Sequence, residues 1–244
     1  MAPMDDFFSG RSDADGGGSA NFVHGVMVAT VTNNQDPDGL NRVKLKFPLR
    51  ENSHETDWAP LASLMSGSGK GTLFVPEVGD EVLVAFHLGN LNQPFVIGSL
   101  WNTSNKPPAK DEKNNLRKIH SRDGHELIFD DTESKGKITL KTKQGLKLEI
   151  DEGADKVTLA TKNAAQTVIL EGSSAGTITV KNGTNKITID NKGDIKVEST
   201  KEITVKSTQI NLQATAAMTI KAGGKLDLMS DGIVTIKGAM VKIN

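Results

Sequence analysis

A glycine-rich run around a lysine is the first group of residues in this chain whose types and spacing could support chemistry. Residues 67–72 read Gly-Ser-Gly-Lys-Gly-Thr, and such a run can cradle a phosphate with its backbone amides. Gly71, however, stands where a phosphate-binding loop requires serine or threonine after the lysine. The run also precedes a predicted strand rather than a helix, so its amides would not converge on a phosphate. We therefore interpret it as a loop of a barrel.

The histidines and one pair of aspartates are the other candidates. His120 and His125 could approach each other across a hairpin, but His24, His54 and His87 add no metal-ligand spacing. Asp130 and Asp131 could serve as general acid and base, but adjacent strand residues point to opposite faces, which favours a turn. The chain has no cysteine, which excludes disulfides and thiol chemistry. We predict no catalytic residue, no cofactor and no metal site.

The elements that must carry these residues are short strands, and they are most regular after residue 137. The last 107 residues contain no aromatic side chain and consist almost entirely of apolar–polar–apolar triplets. Thirteen such candidate strands recur every 7 to 11 residues, with glycine, asparagine and aspartate between them. Within a triplet the two apolar residues share one face. This pattern predicts a rod of stacked strands over residues 138–244.

Each of these strands offers two or three aliphatic side chains, and burying one contributes roughly 1.5–3 kcal/mol. Ordering its strand and corner costs roughly 1–2 kcal/mol per residue, so a three-residue strand does not stabilise itself. A single-chain solenoid is the alternative, but its coils are usually longer. We predict an intertwined trimeric β-helix, a needle of roughly 60 Å at about 4.8 Å per strand. Its expected core residues are Ile178, Val180, Ile187, Ile189, Ile195, Val197, Ile203, Val205, Ile210, Leu212, Met218, Ile220, Leu226, Leu228, Val234 and Ile236.

Residues 22–103 have a different composition, with both tryptophans and five of the eight phenylalanines. About five short strands without helical periodicity predict an all-β, five-stranded OB-fold barrel. Phe74, Phe86, Phe95 and Trp101 fall in apolar strand positions and are expected in its core. A nucleic-acid site needs exposed aromatics in a basic groove, so no nucleic acid is expected. Residues 1–21 are predicted to be a flexible arm and residues 104–137 a linker and neck.

The overall composition limits the classes of partner and location. A formal net charge of -1 gives no strong attraction to nucleic acid or to membranes. No apolar run approaches the length of a membrane span. The N-terminus is acidic and lacks a basic segment before an apolar core, so no signal peptide is expected. We therefore expect synthesis in the cytoplasm without a signal peptide.

Several segments together resemble the central spikes of contractile injection systems, the family of phage baseplate assembly protein V and the C-terminal part of VgrG. The matching segments are residues 36–45, 58–62, 69–71, 76–86 and 94–102, and the junction at 121–127. Within them, Pro-x-x-Gly-Asp-Glu-Val begins at Pro76 and Ile-Gly-Ser-x-x-Asn begins at Ile97. The resemblance implies a homotrimer with OB-fold barrels at the base of a β-helix needle. It implies docking to a hub at the tail-tube end and transient piercing of a target membrane.

The chain departs from this family in three ways. No hub-like domain precedes the barrel, no lysozyme insert separates barrel from needle, and no His-x-His iron-binding pattern follows, because the last histidine is His125. We therefore expect a separate hub protein, no cell-wall cleavage and a separate tip protein of the PAAR type. The residues expected to contact that tip protein are Gly238, Ala239, Met240, Val241, Lys242, Ile243 and Asn244.

The hypothesis is a non-enzymatic, membrane-puncturing spike assembled into the baseplate of a phage tail, tailocin or extracellular injection particle. One alternative is a spike that carries effector cargo in a type VI-like secretion system. Another is an enzyme acting on the cell wall, which the absence of a catalytic insert argues against.

Overall fold

The computed structural model describes residues 22–48, 54–173 and 176–243, and β-strands account for nearly all of its regular structure. This confirms the all-β prediction. The chain divides into two compact units, Met1–Arg122 and Asp123–Asn244. The predicted N-terminal arm, residues 1–21, lies outside the described residues.

The first unit is built on a four-stranded antiparallel sheet. In chain order its strands are β1 (Val26–Asn33), β2 (Lys44–Lys46), β3 (Ser66–Gly67), β4 (Lys70–Gly71), β5 (Glu81–Phe86), β6 (Pro94–Leu100) and β7 (Leu116–His120). The sheet order is β2-β1-β5-β6, while β3 and β4 form a separate two-stranded hairpin. Single bridges between Val43 and Ala59 and between Leu61 and Val96 add further backbone pairing.

The core of this unit follows from strict alternation along its strands. In β5 the residues Val82, Val84 and Phe86 are buried, and their neighbours are half-buried. β1 and β2 alternate in the same way, because successive side chains of a strand point to opposite faces. The complete buried cluster is Ala29, Val31, Val43, Leu45, Phe47, Ala59, Val82, Val84, Phe86 and Val96.

The prediction that four aromatic residues lie in this core is correct only for Phe86. Phe95 is 40 % exposed, and Phe74 and Trp101 are both 71 % exposed. Residues 73–75 form no strand, because the chain leaves the sheet after residue 61 and makes the β3–β4 hairpin. Trp101 stands just after the last residue of β6. Phe95 lies in a paired strand, but it points to the outer face, between the buried residues Pro94 and Val96.

The second unit contains an antiparallel meander, in which each strand pairs with the next one in sequence. Its strands are β8 (Glu126–Asp130), β9 (Lys137–Lys141), β10 (Lys147–Asp151), β11 (Lys156–Ala160), β12 (Gln166–Glu171), β13 (Thr177–Asn182), β14 (Asn185–Asp190) and β15 (Ile195–Glu198). Tight corners join them, and two of these contain Gly145 at φ 90° and Gly183 at φ 59°, a backbone region that glycine enters at little cost.

The pairing of β8–β15 differs from the predicted interchain pairing in this part of the chain. The strands are four to six residues long, because the polar residues that flank each triplet join the ladder. β13 and β14, for example, pair over six residues within one chain. Strands of this length pair with their sequence neighbours along the whole ladder from β8 to β15. Residues 199–243 contain no strand in the described chain, so their predicted interchain pairing stays a prediction.

Candidate functional site

The most continuous feature of the second unit is one face of the meander, on which the apolar residues of all eight strands stand in register. Direct cross-strand partners include Leu140 with Leu148, Val180 with Ile187, and Ile187 with Val197. The first column is Phe129, Ile138, Ile150, Val157, Leu170, Ile178, Ile189 and Ile195. The second column is Leu127, Leu140, Leu148, Leu159, Val168, Val180, Ile187 and Val197. We call these sixteen residues the apolar face.

The apolar face is largely uncovered within its own unit. Ile178, Val180 and Ile187 are each 43 % exposed, and Ile195 at the last strand is 69 % exposed. Near the second column the face is concave and holds a groove of about 510 Å³ lined by Leu140, Leu148, Leu159, Val168 and Val180. Contiguous apolar surface of this extent normally mediates association with another surface.

The opposite face of the same strands is mainly polar, with Ile128, Ala160 and Ile169 as apolar members, and carries a column of alternating charge. Asp130, Lys137, Asp151, Lys156 and Glu171 are successive cross-strand partners. The Nζ atom of Lys137 lies 2.5 Å from Oδ2 of Asp151, and Nζ of Lys156 lies 2.9 Å from Oε1 of Glu171. Opposite charges directly across a ladder stabilise the strand pairing.

The pKa values on this column follow from the same contacts. The hydrogen bond from Lys137 holds the pKa of Asp151 below its usual range, and the same bond raises the pKa of Lys137. The hydrogen bonds from Lys156 and then from the Thr177 hydroxyl lower the pKa of Glu171. These contacts therefore favour the charged forms of Lys137, Asp151 and Glu171. The meander thus has one charged face suited to water and one apolar face suited to burial.

The residues predicted for the trimer core fall into two sets. Six of them lie on the apolar face, and the other ten lie in residues 203–236, where they are 51–74 % exposed. The prediction omitted the ten apolar-face residues before Ile178. Eight of these ten lie within residues 138–170, inside the predicted needle, and the other two, Leu127 and Phe129, lie in the alternating stretch at residues 126–130. The six on the apolar face are Ile178, Val180, Ile187, Ile189, Ile195 and Val197.

The predicted tip residues lie in a segment without strands. Met240 is 75 %, Val241 53 % and Ile243 91 % exposed, and Asn244 lies outside the described residues. Their role as a contact for a tip protein stays a prediction.

The residues first considered for chemistry take structural positions. The glycine-rich run forms the β3–β4 hairpin, in which Gly67 pairs with Lys70. Oδ1 of Asp130 accepts hydrogen bonds from the backbone nitrogen and the hydroxyl of Thr132, which makes a turn. His87 shares a hydrogen bond with Gln93 at 2.9 Å. Among the described residues, no group of three or more histidine, aspartate or glutamate side chains is arranged to hold a metal.

Comparison with known proteins finds a family match within the first unit, Met1–Arg122, which we call the OB unit. Residues 27–101 match the family model of the type VI secretion system/phage-baseplate injector OB domain. Half of the chain is similar in sequence to VgrG spike proteins. It is 32 % identical over 136 residues to the type VI secretion system spike protein VgrG3 of Vibrio cholerae, a match that covers 50 % of this chain and 13 % of VgrG3.

Two further relatives extend this VgrG likeness. The type VI secretion system spike protein VgrG2a of Pseudomonas aeruginosa is 31 % identical over 137 residues, which cover 50 % of this chain and 16 % of VgrG2a. The actin cross-linking toxin VgrG1 of Vibrio cholerae is 29 % identical over 136 residues, which cover 50 % of this chain and 12 % of that toxin. The chain therefore spans a small part of the length of these relatives. Within the described residues, no helix is both long and apolar enough to cross a membrane.

Proposed function

We propose that this chain is a non-enzymatic structural spike of a contractile injection system, and that it acts as a homotrimer. The apolar face carries the proposal, because a single-layered sheet with one continuous apolar side needs a second layer to cover it. Three copies can turn their apolar faces toward a common axis and leave the charged columns in water. The likeness to VgrG spike proteins supports the same architecture.

The proposed mechanism is mechanical. Each meander is held by an uninterrupted antiparallel ladder from β8 to β15, and a shared apolar axis would lock three such ladders together. A spike of this kind transmits force along its axis when sheath contraction drives it into a target envelope. In this proposal the OB unit docks to a separate hub protein at the tube end.

The oligomeric state of the full chain tests the proposal. Sedimentation equilibrium should give three times the chain mass of 26.1 kDa, without detectable monomer at micromolar concentration. A monomer under native conditions would falsify the spike proposal, because the apolar face would then serve no assembly.

A second role, as a carrier of a tip protein or effector, is favoured by the exposed apolar side chains of Met240, Val241 and Ile243. We propose that a PAAR-type protein covers them. Replacing Met240 and Ile243 by serine should abolish co-purification of a co-expressed PAAR-type protein and leave the trimer intact. Retention of that protein by the variant would exclude this surface as its site.

A further inference from the structure

The OB unit has an apolar cleft that its own core does not use. The cleft has a volume of about 730 Å³ and lies between the loop at Leu40 and the segment from Leu61 to Val75. Leu64 is 94 %, Leu73 70 % and Phe74 71 % exposed along it. Exposed apolar side chains in a concave site are typical of a surface that binds another segment.

Both walls of this cleft are held in a defined conformation. On one side, the carboxylate of Asp36 accepts hydrogen bonds from the backbone nitrogens of Leu40 and Arg42, both at 3.2 Å. On the other side, the hydroxyl of Ser63 donates to the carbonyl oxygen of Thr72 at 2.9 Å, and the backbone nitrogen of Thr72 donates to the carbonyl oxygen of Met65 at 3.1 Å. A preorganised site loses little conformational entropy when a ligand binds.

The charge of the cleft restricts its ligand. Lys70 is the single charged residue among those that line it. Lys70 forms no ion pair with any residue that the structure describes. The cleft therefore suits a short apolar segment that carries negative charge.

The sequence of this chain contains such a segment at residues 4–8, which read Met-Asp-Asp-Phe-Phe. Its methionine and two phenylalanines supply apolar side chains, and its two aspartates supply the negative charge that suits the cleft. We propose that residues 4–8 bind the cleft of the OB unit, with Phe7 and Phe8 on its apolar walls and Asp5 and Asp6 toward Lys70.

The intervening chain is long enough for this contact. Thirteen residues separate Phe8 from Phe22, where the described chain of this unit begins. Thirteen residues span up to roughly 45 Å when extended and about 20 Å on average for glycine-rich composition. A domain of this size has a radius of gyration of about 13 Å, so thirteen residues can reach much of its surface. The contact does not depend on the proposed trimer.

The experiment uses the full chain with one introduced thiol, because the sequence has no cysteine. Ser66→Cys places a near-isosteric thiol in the cleft, and Ser104→Cys places one at an exposed site outside it. The rate of maleimide modification is measured with and without Phe7→Ser and Phe8→Ser. We expect the combined Phe7→Ser and Phe8→Ser variant to raise the modification rate of the cleft thiol, at position 66, at least threefold. The rate at the outside thiol, at position 104, should stay unchanged.

Charge exchange tests the assignment of Lys70 without removing the apolar contacts. Lys70→Glu should also raise the modification rate of the cleft thiol, and Asp5→Lys with Asp6→Lys in that background should restore the original rate to within twofold. Equal modification rates at the cleft thiol in all variants would overturn the proposal. Uniformly fast rates would mean that the cleft is open, and uniformly slow rates would mean that another copy of the chain covers it.

Discussion

Asp36 and Arg42 are joined by two parallel hydrogen bonds, in which Nε donates to Oδ2 at 2.8 Å and Nη2 donates to Oδ1 at 2.7 Å. The Asp36 side chain is 2 % exposed and also accepts a hydrogen bond from the backbone nitrogen of Asp38. This ion pair closes the loop between β1 and β2 around one carboxylate. The guanidinium of Arg42 and the backbone amides of Asp38 and Arg42 hold the pKa of Asp36 well below its usual range.

The first prediction is that acid removes this stabilisation. A carboxylate with a lowered folded-state pKa binds fewer protons than in the unfolded chain, so its contribution is complete above the ordinary value of 3.8. The contribution is lost as the pH falls below 3.8 toward the lowered pKa of Asp36. Asp36→Asn should therefore reduce the unfolding free energy at pH 7 and flatten its decline below pH 4. Denaturation in urea from pH 7 to pH 3 measures both effects, and an unchanged pH dependence in the variant would contradict the assignment.

The second prediction concerns the two faces of β14. Ile187→Lys places a charge on the apolar face, where an unpaired buried charge costs several kcal/mol, so the trimer should dissociate. Thr188→Lys changes the adjacent residue on the polar face and should leave the sedimentation coefficient unchanged. Dissociation by both variants, or by neither, would argue against burial of this face in the assembly.

The third prediction compares two leucines of the OB unit. Leu45 is fully buried, and Leu45→Ala should lower the unfolding free energy by about 2–5 kcal/mol, because a cavity remains in the core. Leu73 is 70 % exposed, so in a chain that carries Phe7→Ser and Phe8→Ser, which leave the cleft open, Leu73→Ala should change the unfolding free energy by less than about 0.5 kcal/mol. Guanidinium denaturation followed by tryptophan fluorescence provides the measurement. Similar losses of unfolding free energy in the two variants would mean that Leu45 does not lie in the core of this unit.

The fourth prediction is a stabilising substitution. Leu88 has φ 48° and is 83 % exposed, so a branched side chain occupies the left-handed region and buries little surface. Leu88→Gly should raise the unfolding free energy by about 1 kcal/mol, because glycine adopts this conformation at little cost. Leu40→Gly, at another exposed loop position with ordinary backbone angles, should not stabilise. A loss of stability in Leu88→Gly would mean that the leucine side chain makes a contact in the assembled protein.

Between residues 137 and 198 the sequence was sufficient to predict the strands, because their alternation is a local property, whereas the triplets predicted after residue 199 form no strand in the described chain. Triplets such as Ile178-Thr179-Val180 and Ile187-Thr188-Ile189 lie within β13 and β14 as expected. The pairing of those strands was not predictable in the same way. Lys181 and Lys186 flank the triplets without apolar character, yet they are cross-strand partners that lengthen the ladder. Backbone hydrogen bonds do not depend on side-chain polarity, so hydropathy alone underestimates strand length.

The exposed aromatics show a second limit. Phe74 and Trp101 have the composition of core residues, and only the path of the chain between paired strands places them at the surface. The cleft beside Phe74 could not be predicted either, because it depends on the approach of the loop at Leu40 to a segment more than twenty residues away. Sequence indicates which residues prefer burial, whereas long-range packing decides which of them are buried.

The in-register meander also has an evolutionary consequence. Loss or duplication of a single strand would reverse the direction of everything that follows it, whereas loss or duplication of a whole hairpin preserves both direction and face. Each hairpin adds two inter-strand spacings, or roughly 10 Å. Homologues of the proposed spike should therefore differ in length by discrete increments of this size, so that in the proposed function the length of the shaft can be matched to the thickness of the envelope without redesign of the repeat.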